Sequence, residues 1–334
     1  MSPLTSNSYA FSLDSTEAWA HYLKYRPPYP ESLWKQWLDY HGADNALDAV
    51  LEVGAGCGIG TAGLLAASAK HRSPGNKPVV RRVYLSDPGT ANIAAAEDML
   101  RPQAYPGVEL VFHQGPVEAG IPGLEPGTVD LVMACTCLHY TEIDKAMARV
   151  AEALRPGGTF AAVTYQVTPH IRGNERLAEA FRRFGDWNAD RSKEDNPLYH
   201  DETWQRPLRQ ASVGLDFVRF DPALFENVER YYYNLKDVTW PLQAQWQRRA
   251  GRPVVGVDAA REKLEWVENW KDWEKKNCTV DWLRDMRRSL NGGYDRKAFE
   301  SDAWKEVQQV AEESGGTFHV TWPVHVVLAR RKAS

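Results

Sequence analysis

The residues able to do chemistry begin with one short run, Glu52-Val-Gly54-Ala-Gly56-Cys-Gly58-Ile-Gly60-Thr61. An apolar stretch runs into the glycines and an Ala/Leu-rich stretch follows, so the glycines sit where a strand turns into a helix. Glycine tolerates positive φ and presents bare backbone, so a ligand can approach closely. The N-terminus of the following helix offers unpaired N–H groups to an anionic part of that ligand. A dinucleotide turn reads G-x-G-x-x-G. Counted from Gly54 the sixth position is Ile59, and from Gly56 it is Thr61, so neither register fits. Acidic-x-G-x-G-x-G does fit, with Glu52 two residues ahead of Gly54 and Ala55 inside the turn. That pattern suits a cofactor with a zwitterionic amino-acid tail, which needs acceptors for its ammonium and donors for its carboxylate. Glu52 either meets that ammonium or orients the turn.

Further candidates follow along the chain. Asp87, with Pro88 after it, ends the second apolar run, where a carboxylate can accept both hydroxyls of a ribose or cap the next helix. His113-Gln-Gly-Pro-Val-Glu118 ends the third, where an adenine would lie. His139 and Tyr140 follow the fourth. His139 is the candidate general base, and the alternatives are contact with the substrate or a wall of the site. His170, Arg172, Tyr199 and Arg206 are candidate anchors for an acidic substrate. Trp204, Trp240, Trp266, Trp270 and Trp273 offer a water-excluding wall. Trp266, Trp270 and Trp273, however, stand at helical i, i+4, i+7 spacing, the pattern of a buried helix face. Residues 271–276 and 284–288 read as solvated charged helix faces.

The elements that must position these residues alternate. Strands are expected at 50–53, 79–85, 108–113, 129–134 and 159–165, and helices at 31–40, 61–70, 91–101 and 142–154. Such alternation predicts an α/β fold with a doubly wound parallel sheet. From residue 168 to about 316 the chain is charged, tryptophan-rich and reads as mostly helical. The runs 317–322 and 324–330, around Pro323, then read as a closing strand pair. The expected organisation is an N-terminal arm over 1–47, a cofactor-binding core over 48–167, a helical substrate cap over 168–316 inserted between strands 5 and 6, and the last two core strands over 317–334. Residues 71–77 and 191–196 are expected to be exposed connectors.

The chain has 334 residues, 43% of them hydrophobic, a net charge of −4 and a pI near 6.2. This composition supports a large core and gives no footprint for nucleic acid or an anionic membrane. No apolar run is long enough to span a bilayer, and the start lacks the pattern of a secretory leader. A soluble, cytoplasmic protein acting on a small molecule is expected, with oligomeric state open. Cys57, Cys135, Cys137 and Cys278 lack zinc-ligand spacing, so reduced thiols and no metal are expected.

On the glycine turn, Asp87, the 113–118 segment and Leu154-Arg-Pro-Gly-Gly158, the chain resembles the class I S-adenosylmethionine (SAM)-dependent methyltransferases. That resemblance implies a seven-stranded Rossmann-like sheet with an antiparallel last strand, SAM as cofactor and S-adenosylhomocysteine as product. Tyr25-Arg26-Pro27…Tyr29-Pro30, Cys137-Leu-His139-Tyr140 and Trp266-Val-Glu-Asn-Trp270 are similar to the fungal trans-aconitate methyltransferase family. Carried over, this implies that Tyr25 and Arg26 close over the cofactor, Arg26 near its carboxylate. It further implies that Gly54, Gly56 and Gly58 form the turn, Asp87 holds the ribose, Pro116 and Val117 flank the adenine, and Ala134 and Cys135 line the methionine side. The wider pattern has Gly-Asp-Ala where this chain has Gly115-Pro116-Val117, so a backbone group or Glu118 would have to meet the adenine amino group.

Methyl transfer needs the attacking atom roughly 3–3.5 Å from the methyl carbon and in line with the leaving sulfur. A carboxylate is already ionised at neutral pH and needs no base, whereas a phenol or amine more often does. The expectation is methyl-ester formation on a small-molecule carboxylate. The alternatives are methylation of a phenol, thiol, amine or carbon in fungal secondary metabolism, and a SAM-binding scaffold with non-methylating catalysis.

Overall fold

The computed structural model describes residues 13, 16–42, 47–70, 80–166, 168–195, 201–235, 254–289 and 296–333. Two helices open the described chain, α1 (Thr16–Lys24) and α2 (Glu31–His41), separated by the proline-stiffened run 27–30. The alternating core follows: β1 (Leu47–Val53), α3 (Ile59–Lys70), β2 (Val80–Asp87), α4 (Thr90–Met99), β3 (Glu109–Gln114), β4 (Val129–Cys135), α5 (Ile143–Ala153) and β5 (Leu154–Tyr165). β1 to β5 pair in parallel in the order 3-2-1-4-5. Parallel strands are covered on both faces, which is why β4 reads Val-Asp-Leu-Val-Met-Ala-Cys and is buried along nearly all its length. Two apolar clusters sandwich the sheet. One joins Leu64, Val83, Met133 and Val163 to the N-terminal helices. The other joins Val132, Phe160 and Ala162 to Met147 and Val150 of α5.

The rest of the chain departs from a single helical cap. β6 (His170–Arg172), α6 (Glu175–Asp195) and α7 (Glu202–Ala211) lead to β7 (Phe225–Tyr233), which returns to the main sheet. β8 (Lys263–Val267), β9 (Glu274–Cys278), α8 (Val280–Arg288), α9 (Asp302–Glu313), β10 (Phe318–Thr321) and β11 (Val324–Arg331) complete the described elements. β11 runs antiparallel between β5 and β7, and β8 adds an edge strand beyond β7. Among the described residues the main sheet therefore has eight strands, ordered β3-β2-β1-β4-β5-β11-β7-β8.

Two expectations are corrected by this topology. The sixth core strand is Phe225–Tyr233 and not the run 317–322, which as β10 joins β6 and β9 in a separate antiparallel sheet. Pro323 marks the point where the chain leaves one sheet for the other, and its carbonyl accepts from Gln166 N–H at 2.9 Å. The 168–316 segment is thus two excursions, one on each side of β7. Charge concealed β7, because Arg230 is 1% exposed in its middle. It is tolerated there because its guanidinium meets the equally buried Glu262 at 2.5 Å and donates to the Leu215 and Val218 carbonyls. The tryptophan trio is not one helix face: Trp266 lies on β8, 53% exposed, while Trp270 and Trp273 stand at a 3-10 turn, Trp273 buried. Residues 191–195 continue α6 and are no connector, and residues 71–77 lie outside the described residues.

Candidate functional site

The glycine turn leaves the carboxyl end of β1, where φ is +60° at Gly54, +56° at Gly56 and +81° at Gly58. These are left-handed values that a side chain adopts at a cost of roughly 1–2 kcal/mol per residue. Space forbids a side chain as well. A Cβ on Gly54 would come within 2.5 Å of Cys137 Cβ, and one on Gly58 within 2.5 Å of Leu100 Cδ1. Glu52 is buried beneath this turn. Its carboxylate accepts from the Thr61 N–H at 3.0 Å and from the Thr61 hydroxyl, capping the first turn of α3. Of its two sequence roles, these bonds match the one in which it orients the turn. Burial raises its pKa to about 7, with the Thr61 bonds opposing.

Asp87 closes β2 directly across from the turn. One carboxylate oxygen accepts from Gly56 N–H at 3.0 Å, and the other from Gly89 N–H at 2.8 Å and the Asn92 amide at 2.9 Å. Three of about four lone-pair positions are used, which leaves acceptor capacity for a ligand hydroxyl. Pro88 follows it. Gly115 N–H donates to Asp87 O, which sets Pro116 and the buried Val117 beside the same rim. The turn, an acidic residue ending β2 and the apolar Pro116–Val117 edge fit a nucleoside with an amino-acid tail. Ala134 is buried in the core cluster that also holds Val53, while half-buried Cys135, at the strand end, faces the start of α3 at Gly60.

The arm covers this rim. Trp19 stands over Gly56, where a Cβ would lie 3.0 Å from its ring. Tyr25 is buried and donates from its hydroxyl to Asp285 of α8 at 3.2 Å. Arg26, 8% exposed, donates to Ser289 O at 3.1 Å and lies 4.3 Å from the Tyr22 ring centre. Its Nε has no hydrogen-bond partner among the described residues. A buried cation is costly unless an anion comes to it.

Past β4 the backbone is strained. Thr136 has φ +56°, a left-handed value for a β-branched residue, on the order of 1–3 kcal/mol. It is held by its N–H to Val163 O at 2.7 Å and by a 3.0 Å hydroxyl contact with Tyr29 of the arm. Tyr29 also lies 6.2 Å from the Tyr165 ring at the end of β5, and the Tyr165 hydroxyl bonds to that of Tyr22. Burial pushes the Tyr29, Tyr140 and Tyr165 phenols up, and the Cys135 and Cys137 thiols up as well, so all five stay protonated near neutrality. His139 is half-buried, its ring centre 4.1 Å from that of Tyr140, and burial lowers its pKa to about 4. No hydrogen bond orients its imidazole among the described residues.

The distal candidates separate from this centre. His170 begins β6 in the small sheet, and Trp270 stacks under Arg172, 4.0 Å from its guanidinium carbon. Nothing among the described residues joins either to His139. Trp204 lies on α7 by its backbone, its side chain being outside the described residues, as are Tyr199 and Trp240. Arg206 reaches the site by donating to Tyr140 O at 3.3 Å. The 284–288 face is not wholly solvated: Arg287 is 1% exposed, donates to the Thr168 hydroxyl at 2.8 Å and packs over Phe181. Tyr22, Thr136, Tyr165 and Gln166 went unnoticed in the sequence, since only the end of β5 and the return of the arm bring them together.

Comparison with known proteins agrees with this geometry. Residues 51–162 match the family model described as a methyltransferase domain. The methyltransferase tpcM of Aspergillus fumigatus is 32% identical over 362 aligned positions, covering 99% of this chain and 96% of that one. The methyltransferase AacuQ of Aspergillus aculeatus is 26% identical over 323 positions, covering 94% of this chain and 93% of its own. In fold, the chain is similar to a solved protein of Anaeromyxobacter dehalogenans assigned to the type II methyltransferases, with a TM-score of 0.53 at 19% identity, covering 91% of this chain and 97% of that one.

Proposed function

Since the chain belongs to the class I SAM-dependent methyltransferases, with SAM as cofactor, we propose that it methylates the carboxylate of a small molecule to give a methyl ester. The bound cofactor supplies an electrophilic methyl group. The turn from Gly54 to Gly58 and Asp87 hold its nucleoside and amino-acid ends, Pro116 and Val117 bound the adenine edge, and Arg26 meets its carboxylate. Tyr25 locks the arm over it. Thr136 and Cys135 set the floor where the acceptor arrives.

The observation that carries the carboxylate is the weakness, as bases, of the titratable groups described at the ends of β4 and β5. The phenols and thiols there are held protonated, and His139, at about 4, is neutral but a poor proton acceptor. A phenol near pKa 10 exceeds such a base by about six units, a mismatch that gives little help in proton removal. A carboxyl group near pKa 4 needs no such help, and the site's work is then to orient it and exclude water. The likeness of the Tyr25–Pro30 and Cys137–Tyr140 motifs to enzymes of small organic acids supports the same acceptor.

The test uses SAM labelled in its methyl group and a set of aliphatic and aromatic carboxylic acids. Label released as volatile methanol after mild base identifies an ester. Label that is transferred but stable to base overturns the carboxylate reading and moves the acceptor to oxygen of a phenol, nitrogen, sulfur or carbon.

A further inference from the structure

Gln166 is the first residue beyond the carboxyl end of β5. It is 1% exposed, and neither its amide oxygen nor its amide nitrogen has a hydrogen-bond partner among the described residues. The backbone is not free to relieve this, because its N–H is bonded to Pro323 O at 2.9 Å and continues the β5–β11 ladder. Burying a primary amide with neither end satisfied is unfavourable, and Met or Leu fills a similar volume without that cost. The side chain is therefore poised for something other than packing.

Alternation along β5 indicates where it faces. Ala161, Val163 and Tyr165 belong to the cluster under the arm, whereas Phe160 and Ala162 belong to the cluster that holds Leu138 and Val213. Gln166 continues the second series, on the side of the Leu138–Tyr140 turn and of α7. That side carries two more unsatisfied atoms. Gln210 Oε1 and Arg206 Nε are buried and unpartnered among the described residues. The two residues are four apart on α7 and so share one of its faces, and Arg206 ties that face to Tyr140 O at 3.3 Å. His139, which no hydrogen bond holds among the described residues, stands in the same turn.

We propose that Gln166, together with Gln210 and Arg206, anchors the methyl acceptor and selects one that carries a hydroxyl beside its carbonyl or carboxyl group. This rests on the methyltransferase reading and adds the acceptor's recognition chemistry. The unsatisfied set contains the Gln166 amide N–H groups and the Arg206 Nε–H as donors, and the two glutamine oxygens as acceptors. A bare carboxylate supplies acceptors only and leaves both glutamine oxygens unmet. A neighbouring hydroxyl supplies a donor to one of them. The rings of His139 and Tyr140, tilted by 43° with centres 4.1 Å apart, stand in the turn that Arg206 of α7 contacts and offer an aromatic wall to an ortho-hydroxy aryl acid.

The test titrates salicylate and benzoate, by calorimetry, into the full chain saturated with S-adenosylhomocysteine. Salicylate is expected to bind tighter than benzoate. Gln166→Met is expected to weaken salicylate at least tenfold and benzoate by a smaller factor, so that the preference between the two acids is lost, to leave S-adenosylhomocysteine affinity unchanged, and to keep or raise the melting temperature, since an unsatisfied amide is removed. A structural glutamine would instead lower the melting temperature and weaken both acids alike, which overturns the proposal. So does unchanged salicylate binding in the variant, or a wild type that binds neither acid or does not distinguish them. Should Gln166→Met fail to fold, Gln210→Met carries the same titration, with the same loss expected. Failure of the wild type to bind S-adenosylhomocysteine counts against the methyltransferase reading itself and is read separately in the first titration.

Discussion

His139 can serve as a base, a substrate contact or a wall of the site. A histidine after the fourth strand invites the role of base, yet burial without a carboxylate partner takes its pKa to about 4. As a wall of the site, His139→Asn is expected to lower kcat by less than about tenfold, whereas loss of a working general base costs ~10²–10⁴-fold. Initial rates with the ester-forming acceptor decide this. Glu52 makes a second prediction, on stability. Its folded pKa, raised from 4.5 to about 7, favours the protonated folded state. Its stabilising contribution is thus full below pH 4.5 and is lost as pH rises through 7. Glu52→Gln keeps an oxygen for Thr61 but cannot ionise. The melting temperature of the variant relative to wild type should therefore climb between pH 4.5 and 7 and level off above, in scans of the cofactor-free protein. A flat difference across that window would remove the argument. Glu52, the glycines and Asp87 were all legible in the sequence, because motif spacing fixes where a strand end meets a turn. What Glu52 touches was not, since both of its roles fit the same spacing.

Among the elements, the turn and the arm act on one surface. Gly58→Ala is expected to cost about 1–2 kcal/mol from the left-handed backbone alone, plus the clash with Leu100. Introduced into a Leu100→Ala background, Gly58→Ala should cost only the backbone part, a difference measurable by denaturant titration against Leu100→Ala alone. The arm is fastened to α8 through Tyr25 and Arg26 and to β4 through Tyr29. Tyr25→Phe removes one hydrogen bond of about 1 kcal/mol and is expected to weaken S-adenosylhomocysteine about fivefold by calorimetry. Equal affinity would mean that the arm does not cover the cofactor. The sequence revealed the arm's Tyr-Arg-Pro motif, but α8, its anchor, lies some 260 residues away. Asp285 and Ser289 carry no local signature of that pairing.

At the scale of the whole molecule, the far edge of the sheet depends on one buried ion pair. Arg230 on β7 and Glu262 meet at 2.5 Å with almost no exposure, and Arg230 also binds two carbonyls of the segment 215–218. Arg230→Met alone leaves Glu262 buried and unpaired and is expected to cost about 3–5 kcal/mol. Arg230→Met with Glu262→Leu should recover most of that loss, as read by calorimetric melting. If the double variant is no more stable than the single one, the pair is doing more than neutralising itself. The eighth strand and the small β6-β10-β9 sheet extend the seven-strand arrangement that the resemblance implied.

The sequence by itself determined the parallel half of the sheet, the glycine turn and the cofactor class. Those features rest on local pattern: continuous apolar runs for doubly covered strands, glycine where φ must be positive, and an acidic residue at each of two strand ends. Only the tertiary structure decided the order of the last strands, the membership of β7 and which side chains gather on the side proposed for the acceptor. β7 hides its periodicity behind an arginine neutralised by a glutamate 32 residues away. The groups proposed to meet the acceptor come from the turn after β4, the end of β5 and α7. Contacts between segments so far apart in the chain leave no mark on the sequence of any one of them.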